Sequence, residues 1–321
     1  MGSRRGAVPL KNIVSISGGK DSTALLLLAL ERETPNMEVV FADTGHEHAQ
    51  TYDYVRYLEE ALNVPIRWVR ADFRMRIANK REFIVKQWAK DGVPQSHIDR
   101  ALQLLVPTGN PFLDLCMLSG RFPSTKARFC TMELKHAPIT QKVMAPALRQ
   151  NRMVLSWQGV RREESLARAK LYDFDLDGDL PGIVNYRPIL RWTVEDVFAF
   201  HRRHGIKHNP LYEQGMGRVG CMPCIHARKD ELREIGTRFP EEIARVAQWE
   251  KLVSQTSKQG ASTFRTASSY TDQDITLENV EAQGIWQAVE WAKTSRGGKQ
   301  YDLITSVQEP TQCSSIYGLC E

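Results

Sequence analysis

Residues 12–17, Asn-Ile-Val-Ser-Ile-Ser, read as a short strand, and residues 22–33 follow as a helix. That helix is apolar nearly all round through residues 24–30, which predicts burial between a sheet and another layer. A second strand over residues 38–42 ends at Asp43-Thr44-Gly45. Residues 50–63 place Tyr52, Val55, Leu58 and Leu62 on one helical face, and residues 64–69 form a third strand. Strand, helix, strand, helix, strand at this spacing predicts a parallel sheet with helical crossovers.

The pattern is irregular over residues 73–125, with helical pieces at 83–88 and 98–105 and a Pro/Gly-rich turn at 107–111, so this stretch is expected to be an insertion on the sheet, a candidate substrate lid. Sheet pattern returns at residues 153–157. Residues 186–190 lead into a helix over 194–204, with Thr193 as N-cap, Asp196 at the capping-box position and Gly205 as terminator. A charged helical stretch over 229–251, a Ser/Thr/Gln-rich loop over 254–274 and a helical pattern over 275–293 complete the reading. The expected class is α/β: a parallel twisted sheet with helices on both faces and a C-terminal helical, cysteine-bearing extension. The expected division is a nucleotide-binding domain at 1–205, with its inserted segment at 73–125, and a Cys-bearing region at 206–321.

Composition narrows the function classes. Of 321 residues, 42% are hydrophobic and 25% charged, the balance of a soluble globular chain. The longest apolar run, residues 24–30, is too short to span a bilayer, so no membrane partner is expected. Arg4 and Arg5 precede no apolar segment of signal-peptide length, and a cytoplasmic, reducing location is expected. There the cysteines Cys116, Cys130, Cys221, Cys224, Cys313 and Cys320 point to metal, an iron–sulfur cluster or thiol chemistry rather than to disulfides. A net charge of +5 is compatible with a nucleotide or nucleic-acid partner.

The strongest chemical signal is Ser17-Gly18-Gly19-Lys20-Asp21-Ser22-Thr23, set between a strand and a helix. Successive backbone amides and a helix N-terminus there form an anion cradle. Glycines at 18 and 19 let the backbone approach phosphate oxygens. Ser17, Ser22 and Thr23 offer hydroxyls, Lys20 can neutralise a leaving pyrophosphate, and Asp21 can hold Mg²⁺ or fix the loop. Asp43, Thr44 and Gly45 end the second strand and should face the same crevice, since ligands of open α/β sheets bind beyond the carboxyl ends of the strands. Arg161 and Arg168, in Gly159-Val160-Arg161-Arg162-Glu163-Glu164-Ser165 and just after it, can fork onto phosphate or sulfate, or sit on a solvated helix start. Cys221 and Cys224 are spaced to reach one metal or cluster. His46 and His48 read as solvent-facing before they read as ligands. Trp157, Trp192 and Trp249 read as packing before they read as base-stacking. The basic stretch 121–128 is equally a nucleic-acid contact and a solvated loop.

Taken in order, these motifs resemble the phosphoadenosine phosphosulfate reductase-like family of the PP-loop ATP pyrophosphatases, an adenine nucleotide alpha hydrolase-like fold. The resemblance runs over roughly residues 10–230. It adds Pro188 with Trp192-Thr193 and Asp196-Val197, then Asn209-Pro210-Leu211-Tyr212, then Gly220-Cys221-Met222-Pro223-Cys224. It implies ATP held by residues 17–23 and 43–45, with Lys20, Asp21, Arg161 and Arg168 catalytic. It also implies Cys130, between Arg128 and Lys135, as a third cluster ligand beside Cys221 and Cys224. The fourth would be Cys320, Cys313 or Cys116, in that order, around a [4Fe–4S] cluster or, alternatively, Zn²⁺. Sulfonucleotide reductases usually have a degenerate phosphate loop, whereas this loop is intact. The pattern is therefore closer to the ATP-dependent sulfurtransferases, including the DNA phosphorothioation enzymes.

The leading expectation is an enzyme that uses Mg²⁺-ATP to adenylate an acceptor, a nucleic acid or small oxyanion held near Arg161, Arg168 and Lys135, for sulfur transfer. A cysteine desulfurase or a thioredoxin-like protein would be the donor partner, and an oligomer is left open. Two alternatives remain: a reductase of adenylyl sulfate or phosphoadenylyl sulfate using a thiol nucleophile, and a nucleotide-bound interaction protein without turnover.

Overall fold

The computed structural model describes residues 10–178, 180–265 and 274–294. The chain opens with β1 (Leu10–Ile16), α1 (Lys20–Glu31), β2 (Met37–Ala42), α2 (Ala49–Ala61) and β3 (Ile66–Val69). Next come α3 (Arg74–Phe83), a π-helical turn (Ile84–Trp88), α4 (Gln95–Leu104) and α5 (Pro111–Ser119). A helical stretch at 131–149 then alternates π-helical turns with α6 (Ala137–Ile139) and α7 (Ala145–Arg149). It leads to β4 (Met153–Trp157), a 3₁₀ turn (Arg162–Glu164), α8 (Leu166–Ala169), β5 (Phe174–Leu176) and β6 (Ile183–Tyr186). The chain continues through α9 (Val194–Arg203), α10 (Lys229–Arg238), α11 (Pro240–Thr256), α12 (Val280–Gln283) and α13 (Ile285–Lys293).

The sheet order is β3-β2-β1-β4-β6-β5, parallel throughout except for β5, which runs antiparallel to β6. The chain winds outward from β1 through β2 to β3 and returns on the other side through β4. Strand order therefore reverses at β1, the topological position beyond whose carboxyl end open α/β sheets bind ligands. Strand alternation divides the core. Val14, Ile16, Val39, Phe41 and Trp157 pack with α1, α2 and α9 on one face. Ile13, Val40, Val69, Val154 and Ile183 pack against Ile139, Val143, Met144 and Ala147 on the other. Every residue of α1 from Lys20 to Ala29 is buried, as its all-round apolar pattern requires. A third apolar cluster joins residues of 73–134 to residues of 211–292.

Three sequence expectations change. The charged helix expected over 229–251 is two helices, because Pro240 lacks an N–H and starts a new one as its N1 residue. The second runs on to Thr256, into the expected loop. The helical pattern at 275–293 begins only at Val280 and breaks at Gly284. The β5–β6 hairpin was not foreseen. Its edge strand is three residues long and lies within an Asp-rich run, which weakens the strand signal. The Thr193–Asp196 capping box forms as read, with Thr193 Oγ1 accepting from Asp196 N at 3.1 Å and Asp196 Oδ2 accepting from Thr193 N at 2.8 Å. Among the described residues no helix is long and apolar enough to cross a membrane.

A buried acid ties the C-terminal helices together. Glu250 on α11 is fully buried; its Oε1 accepts from Phe264 N at 2.7 Å and its Oε2 from Ile285 N, the first residue of α13, at 2.8 Å. Burial raises its pKa to about 8, against the opposing pull of the two N–H donors. The folded value lies above the unfolded one, so the contribution is complete below the ordinary carboxylate range and is lost as pH rises through about 8. The expected outcome is a thermal midpoint that declines from about pH 5 to pH 8 in the natural chain. Glu250→Gln should flatten that decline while costing on the order of 1–2 kcal/mol at pH 5, where one backbone N–H loses its acceptor. Thermal denaturation across that pH range checks both.

Candidate functional site

The loop after β1 is held from several sides. Gly18 adopts φ +79°, a left-handed conformation suited to glycine, and a Cβ there would stand 2.8 Å from Thr51 Cγ2. Ser22 Oγ accepts from Ser17 N at 3.1 Å and donates to Gly19 O at 3.0 Å, and Thr23 Oγ1 donates to Gly19 O at 2.9 Å. These hydroxyls, read in the sequence as phosphate donors, brace the loop itself. From the segment after β6, Asn209 Nδ2 donates to Gly18 O at 3.1 Å and His201 Nε2 lies 2.8 Å from Lys20 O. The Tyr212 hydroxyl accepts from Lys20 N at 2.9 Å, and the Lys20 ammonium lies 5.4 Å from the centroid of its ring.

Asp21 is completely buried. Its carboxylate meets Arg161 Nε at 2.5 Å and Lys20 Nζ at 3.3 Å, contacts that tie the start of α1 to the end of β4. Arg161 also pairs with Glu163, and its N–H donates to Glu164 Oε2 at 2.7 Å; Arg168 pairs with Glu164. Arg161 and Arg168 are buried, which corrects the solvated-helix reading of this run. Gly159 completes the brace: a Cβ there would stand 3.2 Å from the Asp21 carbonyl and the Ser22 Cα, so the end of β4 lies directly on the loop backbone.

The turn after β2 faces a second feature. Asp43 accepts from Tyr52 Oη and Gly45 N, each at 2.9 Å, and pairs with Arg70 Nε at 2.8 Å. Thr44 Oγ1 donates to Glu47 Oε1 at 2.7 Å, and the Gly45 carbonyl accepts from Asn110 Nδ2 at 2.6 Å. Glu47 pairs with Cys221 in an isolated antiparallel bridge, and Met222 N donates to His46 O at 2.9 Å. His46 is buried, stacked on Phe112 at 4.2 Å, with Nε2 2.8 Å from Pro223 O. Burial, with Arg245 alongside, holds its pKa well below the ordinary value. His48 is buried too and caps α2 through Nδ1. Neither histidine faces solvent as expected, because both stitch this turn into the core. Trp157 and Trp249 are buried, and Trp192 packs against Phe200, so all three take the packing role.

Cys130, Cys221 and Cys224 line one small cleft, together with Thr44, Lys135 and Arg218. Cys224 Sγ accepts from His226 N at 3.5 Å and from Arg218 Nη2 at 3.6 Å. Cys221 Sγ lies 3.8 Å from both Glu47 Oε1 and Thr44 Oγ1. Burial raises the Cys221 thiol well above its ordinary value, Lys135 pulls it down and Glu47 pushes it further up. Among the described residues no group of three or more His, Cys, Asp or Glu side chains is gathered closely enough to hold a metal ion. Cys116 lies in the apolar core on α5 and does not line the cleft. Cys313 and Cys320 lie outside the described residues. Glu47, Tyr52 and Tyr212 were not picked out as site residues; Glu47, three positions after Thr44, left only a spacing signal.

Residues 11–227 match the phosphoadenosine phosphosulfate reductase domain. The chain belongs to that family. An uncharacterized 37.8 kDa protein of Escherichia phage 186 is 55% identical over 324 residues, covering 97% of this chain and 96% of that protein. The phosphoadenosine 5′-phosphosulfate reductase of Vibrio campbellii is 24% identical over 70% of this chain and 71% of its own length. The crystal structure of phosphoadenylyl-sulfate reductase from Candida auris, a phosphate complex, aligns with a TM-score of 0.40 at 18% identity, covering 66% of this chain and 80% of that one. The matched span takes in the phosphate loop, the Asp43–Gly45 turn, the Arg161 motif, and Cys130, Cys221 and Cys224.

Removing the Arg161 guanidinium takes away the nearer of the two cations paired with buried Asp21. Arg161→Ala should therefore lower stability by roughly 3 kcal/mol, as breaking a buried pair does, with Arg161→Lys recovering part of it. Urea denaturation of the two variants checks this, and near-natural stability for Arg161→Ala would show that Asp21 does not depend on this partner.

Proposed function

We propose that this chain binds Mg²⁺-ATP on the loop at 17–23 and adenylates an acceptor so that sulfur can be delivered to it. One observation carries the reading: the phosphate loop and the three-cysteine cleft share the carboxyl edge of the sheet, linked through the turn at Asp43 and Thr44, and Thr44 itself lines the cleft. An acceptor oxygen would attack the α-phosphorus, the bond to the bridging oxygen would break, and pyrophosphate would leave toward the loop amides and Lys20. A sulfur nucleophile of the persulfide or thiol class would then displace AMP from the activated acceptor. Lys135 and Arg218, on the wall of the cleft, suit an anionic sulfur species or oxyanion.

The chemistry of Cys130, Cys221 and Cys224 suits a soft metal centre, with Arg218 and the His226 amide already directed at the Cys224 sulfur. We assign these three as ligands of a [4Fe–4S] cluster or of Zn²⁺, with Cys320 or Cys313 as the fourth. Such a centre would hold the thiolates together and polarise sulfur bound beside it. The family relative named for phosphoadenosine 5′-phosphosulfate reduction supports a second reading, in which a ready-made sulfonucleotide is bound and reduced by a thiol.

Lys20→Ala should reduce pyrophosphate release from ATP by at least about a hundredfold, and, as it removes the farther cation from buried Asp21, should lower the thermal midpoint less than Arg161→Ala does. Cys221→Ser should lower the iron or zinc content of anaerobically purified protein. Pyrophosphate release unchanged in Lys20→Ala sinks the adenylation role. Sulfite together with AMP or adenosine bisphosphate, formed from sulfonucleotides without any pyrophosphate from ATP, establishes the second reading instead.

A further inference from the structure

The sheet ends on one side at β5, which pairs with β6 and with no further strand among the described residues. The Arg187 N–H donates to the Asp173 carbonyl at 2.8 Å and the Asp177 N–H to the Ile183 carbonyl at 3.0 Å, so residues 173, 175 and 177 turn their backbone groups toward β6. Alternation along the antiparallel ladder then turns the N–H and C=O of Phe174 and Leu176 outward, to the open edge. The side chains there are open as well: Tyr172, Phe174 and Leu176 are 73%, 56% and 77% exposed. Phe174 stacks on Tyr186 at 4.3 Å, and Tyr186 meets Trp157 of β4 edge-on at 4.8 Å. An aromatic ladder therefore crosses β4, β6 and β5 in direct register and stops at solvent.

Edges that stay single are usually blunted by proline, lysine, a bulge or an unmatched charge. Residues 172–177, Tyr-Asp-Phe-Asp-Leu-Asp, hold no proline and no lysine. The carboxylates at 173 and 175 are matched within the chain: Asp175 Oδ2 lies 2.5 Å from Arg187 Nη1 and its Oδ1 accepts from Asn185 Nδ2 at 2.9 Å, while Asp173 pairs with Arg191 at 2.7 Å. A basic strand would find these acids already taken. A second β5 fits the edge better. Run antiparallel about a two-fold axis at Asp175, it sets Phe174 of each copy against Leu176 of the other, and the N–H of each donates to the C=O opposite. The two Asp175 carboxylates then face one another across the axis, each with its own Arg187 to balance it. With the strand edges, the three apolar side chains of both copies would bury on the order of 1,000 Å², the low end for a specific interface, which suits a dimer formed at micromolar concentration.

We infer that this face is where two copies of the chain meet in solution, through antiparallel pairing of two β5 edges into one continuous sheet, with Tyr172, Phe174 and Leu176 of both copies as its apolar seam. The inference does not depend on the nucleotide reading, since β5 stands three strands away from β1, whose end carries the phosphate loop.

The test is sedimentation equilibrium of the full chain in reducing buffer, from about 1 to about 100 µM, where a monomer–dimer equilibrium should be seen. Phe174→Lys and Leu176→Lys, each checked for folding by its melting temperature, should raise the dimer dissociation constant at least about tenfold. Met75→Lys changes a side chain on α3 that is 74% exposed, and should leave the constant where it was. Hydrogen exchange on the natural chain gives a readout that needs no variant: the amides of Phe174 and Leu176 should slow as concentration rises through the dissociation constant. A natural chain that is still monomeric at about 100 µM overturns the interface. So does a dimer that the two lysine variants leave as tight as before, one that Met75→Lys weakens equally, or one that forms without slowing exchange at 174 and 176.

Discussion

The buried contact between Asp21 and Arg161 sets the geometry of the carboxyl edge. A carboxylate with no exposed surface, in the first turn of a buried helix, is costly to desolvate, and the pair lasts only where matched charge and hydrogen bonds surround it. The surrounding groups come from far along the chain: Arg161 lies 140 positions away, and Glu163 and Glu164 hold Arg161 in turn. Because the arginine is anchored at the end of β4 and the acid at the start of α1, the pair fixes the loop between two neighbouring strands. The close approach of Gly159 to the loop backbone is the steric counterpart of the same contact. Specificity of position, rather than net stability, is what such a pair contributes best.

The edge is extended by a second set of polar links. The Tyr52 hydroxyl lies 2.9 Å from Asp43 Oδ1 and 3.0 Å from Glu47 Oε2, so its single hydrogen is shared between two carboxylates. Glu47 in turn sits against Cys221, and Met222 bonds back to His46. The turn that follows β2 and the turn that carries the cysteines therefore behave as one polar unit, bounded by Arg70 on one side and Lys135 on the other. Burial and a nearby carboxylate both oppose ionisation of Cys221, while Lys135 favours it. The net effect raises the thiol well above its ordinary range, which works against free nucleophilicity.

What could be read from the sequence was whatever local pattern determines. The β1–loop–α1 unit, the parallel strands and the Thr193 capping box each rest on residues within a few positions of one another, and each formed as read. The features that local pattern does not show depend on distant partners. His46 and His48 sit on a polar turn, yet contacts with Phe112, Pro223 and Phe239 bury them. Arg161 and Arg168 stand in a run of alternating charge that usually lies in water; what keeps them dry is Asp21, beyond the reach of any short window. The bridge between Glu47 and Cys221 spans 174 positions, and no periodicity announces it. The β5–β6 hairpin is a milder case, in which pairing to β4 overrides a weak propensity.

The turn at 209–212 packs directly on the loop. The Lys20 amide, one of the first-turn donors of α1 that would point at an anion, is taken by the Tyr212 hydroxyl, and the Gly18 carbonyl by Asn209. A phosphate oxygen seeking the Lys20 N–H must therefore displace a neutral hydroxyl. That exchange is favourable on electrostatic grounds, because an anion accepts from a helix N-terminus better than a phenol does. The turn at 209–212 thus keeps the loop's own amide and carbonyl satisfied. A loop braced in this way holds its shape through the protein's own hydrogen bonds.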